Sequence, residues 1–542
     1  MTKNKSRLND LEKEYDIIII GGGITGANIV WDATLRGFKC LLVEKKDFAS
    51  GTSQATSKLI HGGLRYLKNL EFGLVRESLY ERRILAKISP HAVRPMGFII
   101  PIRSLFARMI LWAGMFLYNL LSFDRNKAIS EDTLLPSYIW NSKEETIYKT
   151  PQSNRQNLSG SYQYYDYMNM NPERHTCEFI FSAKNKGAHV LNYTEVSSIS
   201  KQYSGGYSVT ISDSLTNTSK TISAPVVINS AGPWADFIET MAGIKQEKQI
   251  LRSKGIHAVV RNISSKECII LQKQDGSHLF VIPWRNRTII GTTDTVFNDH
   301  PDNFKVTESE ILNLLSEVNS SFGFAKLTLE DVEYYYGGMR PLVEDVGEKK
   351  DTYSASRKSE IMHYTKDGFE GFFSALGGKY TTSRGVAEKL INQVSLFLRK
   401  EILPCYTNIM PLLGGDFESK QTLVIELEKK FPKISGKKLE TLVSRYGSET
   451  IKVLNYKSKE EYELPNGEVL YEEEIIYSIQ NEAIVHATDF YFRRSGAGTV
   501  GKIKLEERKR IDAKLASLLK WDNKRLKLES EEVNQRYIWA KG

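Results

Sequence analysis

Residues 15–68 constrain this chain more than any other stretch. Tyr15 to Ile20 is a short, isoleucine-rich run, long enough for a buried parallel strand. It leads into Gly21, Gly23 and Gly26, a G-x-G-x-x-G placed where a strand must turn into a helix. The first glycine permits the tight turn, the second lets backbone N–H groups approach a pyrophosphate, and the third lets helix and strand pack closely. The helix is predicted from about Ile24 to Arg36, with Gly37 at its C-cap, so Ile24 and Thr25 stand in its first turn. A second strand is expected over Lys39 to Val43 and ends at Glu44, near the spacing of a ribose-hydroxyl acceptor. Strand, glycines, helix and acid together define a dinucleotide-binding βαβ unit. An acid at Glu44 rather than an arginine favours an unphosphorylated ribose, as in FAD or NAD.

A chain of 542 residues is too long for one core and should divide into two or three domains. Its apolar content of 41% and charged content of 26% are those of a soluble globular protein. The net charge of +9 suits anionic partners, but no nucleic-acid motif accompanies it. Cys40, Cys177, Cys268 and Cys405 are widely spaced without a C-x-x-C, which argues against zinc and against a disulfide framework. All four are expected to be buried thiols in a reducing cytoplasm. Residues 1–14 lack the apolar region of a signal peptide. The longest apolar run, MILWAGMFLYNLL from Met109 to Leu121, is too short for a membrane span. It carries Trp112, Phe116 and Tyr118, with Arg103, Arg108, Arg125 and Lys127 at its margins. On its residues alone it fits a membrane-interface helix and a buried core helix equally.

Further along, FGLVRESLYERRIL reads as an amphipathic helix, Ser130 to Gln156 as loop, and Pro172 to Lys186 as helix. APVVINSAGPW, Ala224 to Trp234, is a buried strand followed by small residues. Residues 250–345 alternate as a mostly antiparallel sheet. GFFSALGGKYTTSRGVAEKLI reads as strand, Gly377-Gly378 turn, then a helix opened by Lys379 to Thr382, whose N-terminus would bind anions. From about Leu398 the chain is helix-rich and charged, and His486 there is read as structural.

The segment SQATSKLIHGGLRYL, Ser53 to Leu67, closely resembles the FAD-dependent, quinone-linked glycerol-3-phosphate dehydrogenases of the D-amino-acid-oxidase-like flavoprotein superfamily. VIPWRNRTIIGTTDT, GGMRPL and the Gly371-to-Ile391 stretch are similar to signatures of the same family. In YQYYDYMNMNPERHT, Asn169 and Asn171 stand where family members usually carry acids, with Arg174 kept. The double arginine Arg493-Arg494 resembles one in the family's C-terminal cap, and no chemistry is read in it.

The resemblance implies a mixed α/β fold: a Rossmann-like FAD domain (1–80, 155–240 and 361–395), a β-rich substrate domain (81–154 and 241–360) and a helical C-terminal domain (396–542). It implies oxidation of sn-glycerol 3-phosphate to dihydroxyacetone phosphate, with hydride transfer from C2 to flavin. FAD would be held without a covalent bond by Gly21, Gly23, Ile24, Thr25, Gly26, Glu44, Ser57, Lys58, Leu59, His61, Gly62, Gly63, Ala231, Gly232, Gly378, Lys379, Tyr380 and Thr381. Arg65, Tyr66, Arg340, Arg357 and Lys379 would bind substrate, with Arg340 and Lys379 also stabilising the developing alkoxide. His61 stands equally as proton acceptor or as flavin contact. The implied partners are a quinone and an anionic membrane surface on the cytoplasmic side, where the resemblance favours the interfacial reading of 109–121. No metal site is expected, and a homodimer is compatible with the sequence. Oxygen as acceptor, an amino-acid or amine oxidase, and a non-enzymatic flavin-bound protein stay open as alternatives.

Overall fold

The computed structural model describes residues 6–151, 154–264, 266–273, 277–321, 326–345, 358–400 and 403–540. Ile17–Ile20 form strand β1, buried at every position. It pairs in parallel with Val226–Asn229 on one side and with β2, Cys40–Val43, on the other. Phe372–Gly377 and His189–Leu191 extend this sheet in parallel, and Ser359–His363 closes one edge antiparallel. A strand buried on both faces must be apolar throughout, which is why IIII, CLLV and VVIN sit at its centre. Helix α1, Ile24–Leu35, crosses from β1 to β2 and packs between the helices Pro172–Asn185 and Ser383–Phe397. It is buried on nearly every face; its buried polar residues are satisfied locally, Asn28 by the Ile24 carbonyl and Asp32 by Arg36.

A ten-stranded, mostly antiparallel sheet forms the second layer. Its spine is the pairing of Lys248–Arg261 with Val332–Asp345, which places Ser253 opposite Arg340 and His257 opposite Tyr336. Val93–Ile102, Gly160–Asn169 and the short Leu59–Ile60 belong to the same sheet, so the 59–63 segment leaves the sheet edge beside the βαβ unit. Several elements went unread in the sequence, among them the helix Lys143–Lys149 and the short strand Ile139–Asn141 inside the stretch read as loop. The helix Glu308–Ser321 interrupts the strand-rich region, with Ile311, Leu314, Leu315 and Val318 buried at helical spacing. A three-stranded antiparallel sheet occupies Thr194–Lys201, Tyr207–Asp213 and Thr218–Ala224. Three cysteines are buried as expected, whereas Cys405 is only partly so, beside Thr407 and the Arg384 guanidinium.

Helix α2, Phe72–Ile88, is followed by α3, Leu105–Leu121. Of α3 only Met115 and Tyr118 are buried, and Phe106, Met109, Ile110, Trp112, Phe116 and Leu120 are each more than half exposed. Among the described residues no helix is long and apolar enough to cross a membrane.

The C-terminal region is helical, with one small hairpin at Glu461–Glu463 and Val469–Tyr471. It is fastened to the βαβ unit by a buried ionic cluster. Asp47, in the loop after β2, accepts two hydrogen bonds from Arg494 at 2.8 and 2.9 Å and is paired with Arg493, which also holds Asp489 at 2.6 Å. Asn192 donates to the same carboxylate at 3.0 Å. The two arginines lie on a π-helical turn, Phe490–Arg494, whose wider winding presents consecutive side chains to one acid.

Removing one partner of a buried ion pair strands its charge, at roughly 3–5 kcal/mol. Asp47→Ala should therefore lower the chemical-denaturation stability by about that amount. The adjacent guanidinium groups hold the Asp47 carboxyl below its ordinary range against the opposing effect of burial. A depressed carboxylate contributes stability above its unfolded value and loses it as pH falls through the folded one. The difference between wild type and variant should thus be constant above about pH 5 and shrink only in stronger acid. An unchanged denaturation midpoint at neutral pH would show that the cluster does not hold the two regions together.

Candidate active site

The turn after β1 is as crowded as the glycines suggest. A Cβ on Gly26 would lie 2.0 Å from the Gly21 carbonyl oxygen, and one on Gly21 would lie 2.7 Å from Ser230 O and 3.1 Å from Ala231 Cα. These glycines bring α1 and the Ala231–Gly232 turn against the same strand end. Gly23 caps α1 without a side-chain hydrogen bond, and the Ile24 N–H donates to Ser53 Oγ at 2.9 Å. Gly21, Gly23, Thr25, Ala231 and Gly232 are all partly open to solvent. Glu44 accepts from the Gly22 and Lys46 amides at 2.7 and 2.9 Å; burial raises its carboxyl above the usual range, against the pull of those two donors.

From Ala55 to Tyr66 the chain passes along the edge of the ten-stranded sheet, to which Leu59–Ile60 belong. The Ser57 hydroxyl lies 2.9 Å from His257 Nε2. Lys58 is buried with φ +55; its ammonium meets Glu173 at 2.7 Å and lies over the rings of Trp284 and Tyr336. That ammonium is committed to a core ion pair, and burial lowers its pKa. Leu59 and Ile60 pair with Met168 and Tyr167, and half-exposed His61 follows. The Gly62 amide donates to Asp166 at 3.2 Å, and Gly63 takes a left-handed conformation that faces the Tyr66 ring.

Tyr66 gathers two predicted substrate residues. The Lys379 ammonium lies 4.0 Å from its ring centre and 3.1 Å from Ser78 Oγ, and the Arg65 guanidinium lies 5.1 Å from the same ring. Gly377 and Gly378, both with positive φ, aim Lys379 there. Lys379 to Thr382 form a turn rather than the first turn of the helix, which starts at Ser383. Tyr380 Oη donates to the Pro172 carbonyl at 2.9 Å, and Thr381 is buried.

Arg340 comes from the long strand pair. Its guanidinium donates to Ser253 Oγ at 3.0 Å, Thr292 Oγ1 at 2.7 Å and the Thr293 carbonyl at 3.2 Å, with Asp294 further away at 3.9 Å. The space it fills exists because residue 255 is glycine: a Cβ there would lie 2.4 Å from Arg340 Nη2. Thr52 Oγ1 donates to the Met339 carbonyl and Tyr336 Oη to Thr56 O, which seats this strand on the 52–57 segment. The strand that carries Arg340 thus packs on the start of residues 52–66, and the Lys379–Arg65 group lies at their end. Arg357 lies outside the described residues.

His257 was missed in the sequence. It is 1% exposed, stacked on Tyr336 at 4.8 Å, and its Nδ1 has no hydrogen-bond partner among the described residues. Burial, then the charges of Arg340 and Lys58, hold its pKa well below the usual histidine range, so it is neutral. Nothing in the run HAVV sets this histidine apart; only the register against Tyr336 does. The asparagines that replace family acids also have local roles. Asn171 caps the helix Pro172–Asn185, and Asn169 lies 2.9 Å from His175 Nδ1.

A doubly wound sheet with an open glycine turn, set against an antiparallel sheet that supplies fixed cations, is the architecture of a flavin-dependent oxidoreductase. The chain belongs to the FAD-dependent oxidoreductase family, whose model matches residues 16–384. Residues 405–526 match the C-terminal domain of alpha-glycerophosphate oxidase. It is 32% identical to the aerobic glycerol-3-phosphate dehydrogenase of Staphylococcus aureus, over 96% of this chain and 94% of that one. The glycerol-3-phosphate dehydrogenase of Bacillus halodurans, solved with FAD, superposes with a TM-score of 0.78 at 28% identity, covering 98% of this chain and 96% of that one. The L-alpha-glycerophosphate oxidase of Mycoplasma pneumoniae shares the fold, with a TM-score of 0.52 at 16% identity over 72% of this chain and 97% of that one. FAD is the cofactor, and the residues fit it: the glycine cradle leaves no room for a Cβ, and α1 opens without a side-chain cap.

Gly255→Ala should displace the Arg340 guanidinium without touching the glycine cradle. The expected result is full FAD content with kcat/KM lowered by at least about tenfold, the scale of a lost hydrogen bond to a charged group. Unchanged kinetics would mean that the position of Arg340 does not matter to turnover.

Proposed function

We propose that this enzyme oxidises sn-glycerol 3-phosphate to dihydroxyacetone phosphate and passes the electrons to a membrane quinone. The observation that carries the reading is the set of cations in an FAD-dependent oxidoreductase: Lys379 and Arg65 gathered on Tyr66, and Arg340 on the strand that packs against residues 52–57. A small phosphorylated alcohol needs fixed positive charge for its phosphate and for the alkoxide that develops at C2. Arg340 is oriented by oxygens of Ser253, Thr292 and Thr293, with Asp294 at 3.9 Å, and its planar fork suits a phosphate. Lys379, Arg65 and Tyr66 bind the substrate from the other end, and Arg357 is assigned to the phosphate. The substrate named by the relatives, glycerol 3-phosphate, has this chemistry.

Bound FAD supplies the two-electron acceptor for the hydride that leaves C2. His61 is assigned as acceptor of the C2 hydroxyl proton. A base must bind a proton near neutral pH, and an ordinary histidine with a pKa of ~6.5 does so. His257 does not suit the task, because burial beside Arg340 and Lys58 disfavours its imidazolium form. It instead holds Ser57 in place. His61→Asn should lower kcat by about 10²–10⁴-fold and abolish the acid limb of the kcat pH profile. His257→Asn should keep that limb; a reversal of the two profiles would exchange the assignments.

For the electrons, the outer face of α3 is the observation that favours a quinone. Trp112 and Phe116 stack at 6.0 Å on a surface of exposed apolar side chains, the pattern of a helix lying in a bilayer interface. Purified FAD-loaded protein should oxidise sn-glycerol 3-phosphate with an artificial dye in the absence of oxygen. It should sediment with anionic vesicles, less so at high salt, and replacing Trp112 and Phe116 by Ser should abolish vesicle binding and quinone reduction while dye reduction remains. Soluble behaviour throughout, with oxygen consumed in proportion to substrate, would replace the quinone by oxygen.

A further inference from the structure

The buried face of α3 ends on the catalytic segment. Asp166 is 1% exposed. Its carboxylate accepts from Tyr118 Oη at 3.0 Å on both oxygens, from the Gly62 amide at 3.2 Å and from the Arg82 guanidinium. Tyr118 belongs to α3 and Gly62 to the His61–Gly63 segment, so one carboxylate joins the two. The packing is equally direct: a Cβ on Gly62 would lie 2.3 Å from Tyr118 Oη and 2.3 Å from Leu79 Cδ2. Tyr118 is further pinned edge-on to Tyr164 at 5.7 Å. On the opposite side of the same helix lie Phe106, Met109, Ile110, Trp112 and Phe116, all more than half exposed. Met115 and Tyr118 are the fully buried side chains of this helix, with Ala107, Leu111 and Leu121 packed beside them, and Tyr118 touches the backbone next to His61.

We propose that Tyr118 is a positioning residue: through Asp166 it fixes the Gly62 amide and so the placement of His61, and seating α3 in a bilayer tightens this link. The inference rests on the assignment of His61 and on the bilayer contact of α3 made above. Physically it is a lever with a polar pivot. Tyr118 can turn only with α3, Asp166 is held by Arg82, and the Gly62–Gly63 backbone has no side chains to absorb a shift. The Tyr118–Asp166 bond is charge-assisted and buried, so its loss is felt at both ends.

The test compares wild type, Tyr118→Phe and the double variant Trp112→Ser/Phe116→Ser, each FAD-loaded, with vesicles of phosphatidylglycerol and with none. With dye as acceptor, wild-type kcat should rise on vesicle binding. Tyr118→Phe should bind the vesicles as wild type does, yet show a kcat about tenfold lower with KM little changed, and no rise on vesicles. The double variant, altered only at exposed side chains, should stay at the vesicle-free rate. Hydrogen exchange of the peptide spanning 59–67 in wild type gives a second readout that needs no variant, and its protection should increase on vesicles. A Tyr118→Phe enzyme with wild-type kcat and wild-type vesicle response, or exchange unaltered by vesicles that do bind, would overturn the proposal. If wild type neither oxidises sn-glycerol 3-phosphate nor binds vesicles, the functional reading itself has failed, a result that differs visibly from the first.

Discussion

The Asp47 carboxylate is the contact on which the arrangement of this enzyme depends. It lies in the loop that leaves β2 three residues after Glu44, and two arginines distant in the sequence close over it. A buried carboxylate facing one guanidinium is balanced; here a second guanidinium is balanced in turn by Asp489, and Tyr193 donates to that acid at 2.6 Å. The cluster is satisfied only when the C-terminal helices sit on the βαβ unit. It therefore ties the loop after β2 to a region that the sequence separates from it by more than four hundred residues. Such a network contributes less to net stability than its bonds suggest, because desolvation offsets them; what it supplies here is a unique docking geometry.

The same logic sorts the other cations. Lys58–Glu173, Arg82–Asp166 and Arg384–Glu81 are pairs sealed from water, and each joins elements far apart in the chain. Their charge is spent within the protein. The Arg340 guanidinium donates to hydroxyls and a carbonyl at 2.7–3.2 Å, with the Asp294 carboxylate at 3.9 Å. Lys379 meets a hydroxyl and an aromatic face. Both of these sites are partly open to solvent.

Much of the first layer was legible because its signals are local. Four consecutive isoleucines, three glycines at fixed offsets and an acid at the second strand's end each follow from a short-range constraint, and the structure has them within a residue or two. The helix Glu308–Ser321 was equally local, its apolar spacing hidden inside a strand-rich stretch. The sheet of residues 194–224 carried a local signal too, the alternation of Tyr207, Val209 and Ile211 with Ser and Thr in its middle strand, which went unread between two more polar strands. Arg340, Lys379 and Tyr66 came from family resemblance rather than from spacing, and the structure places Lys379 against Tyr66 through the Gly377–Gly378 turn. His257 and Asp166 could not be read at all. A histidine within an apolar strand and an aspartate within an aromatic one acquire meaning only when register sets one against Tyr336 and fold sets the other between Tyr118 and Gly62.

The claim that joins these parts is that this FAD-dependent oxidoreductase, with Arg340 and Lys379, is matched to one phosphorylated alcohol. The most direct measurement is anaerobic rapid mixing of the FAD-loaded protein with sn-glycerol 3-phosphate, followed by the visible absorbance of the flavin, alongside its mirror image sn-glycerol 1-phosphate and unphosphorylated glycerol. The account predicts prompt, saturable bleaching with sn-glycerol 3-phosphate alone. Bleaching by glycerol at a comparable rate, or by an amino acid in place of the phosphate ester, would contradict it.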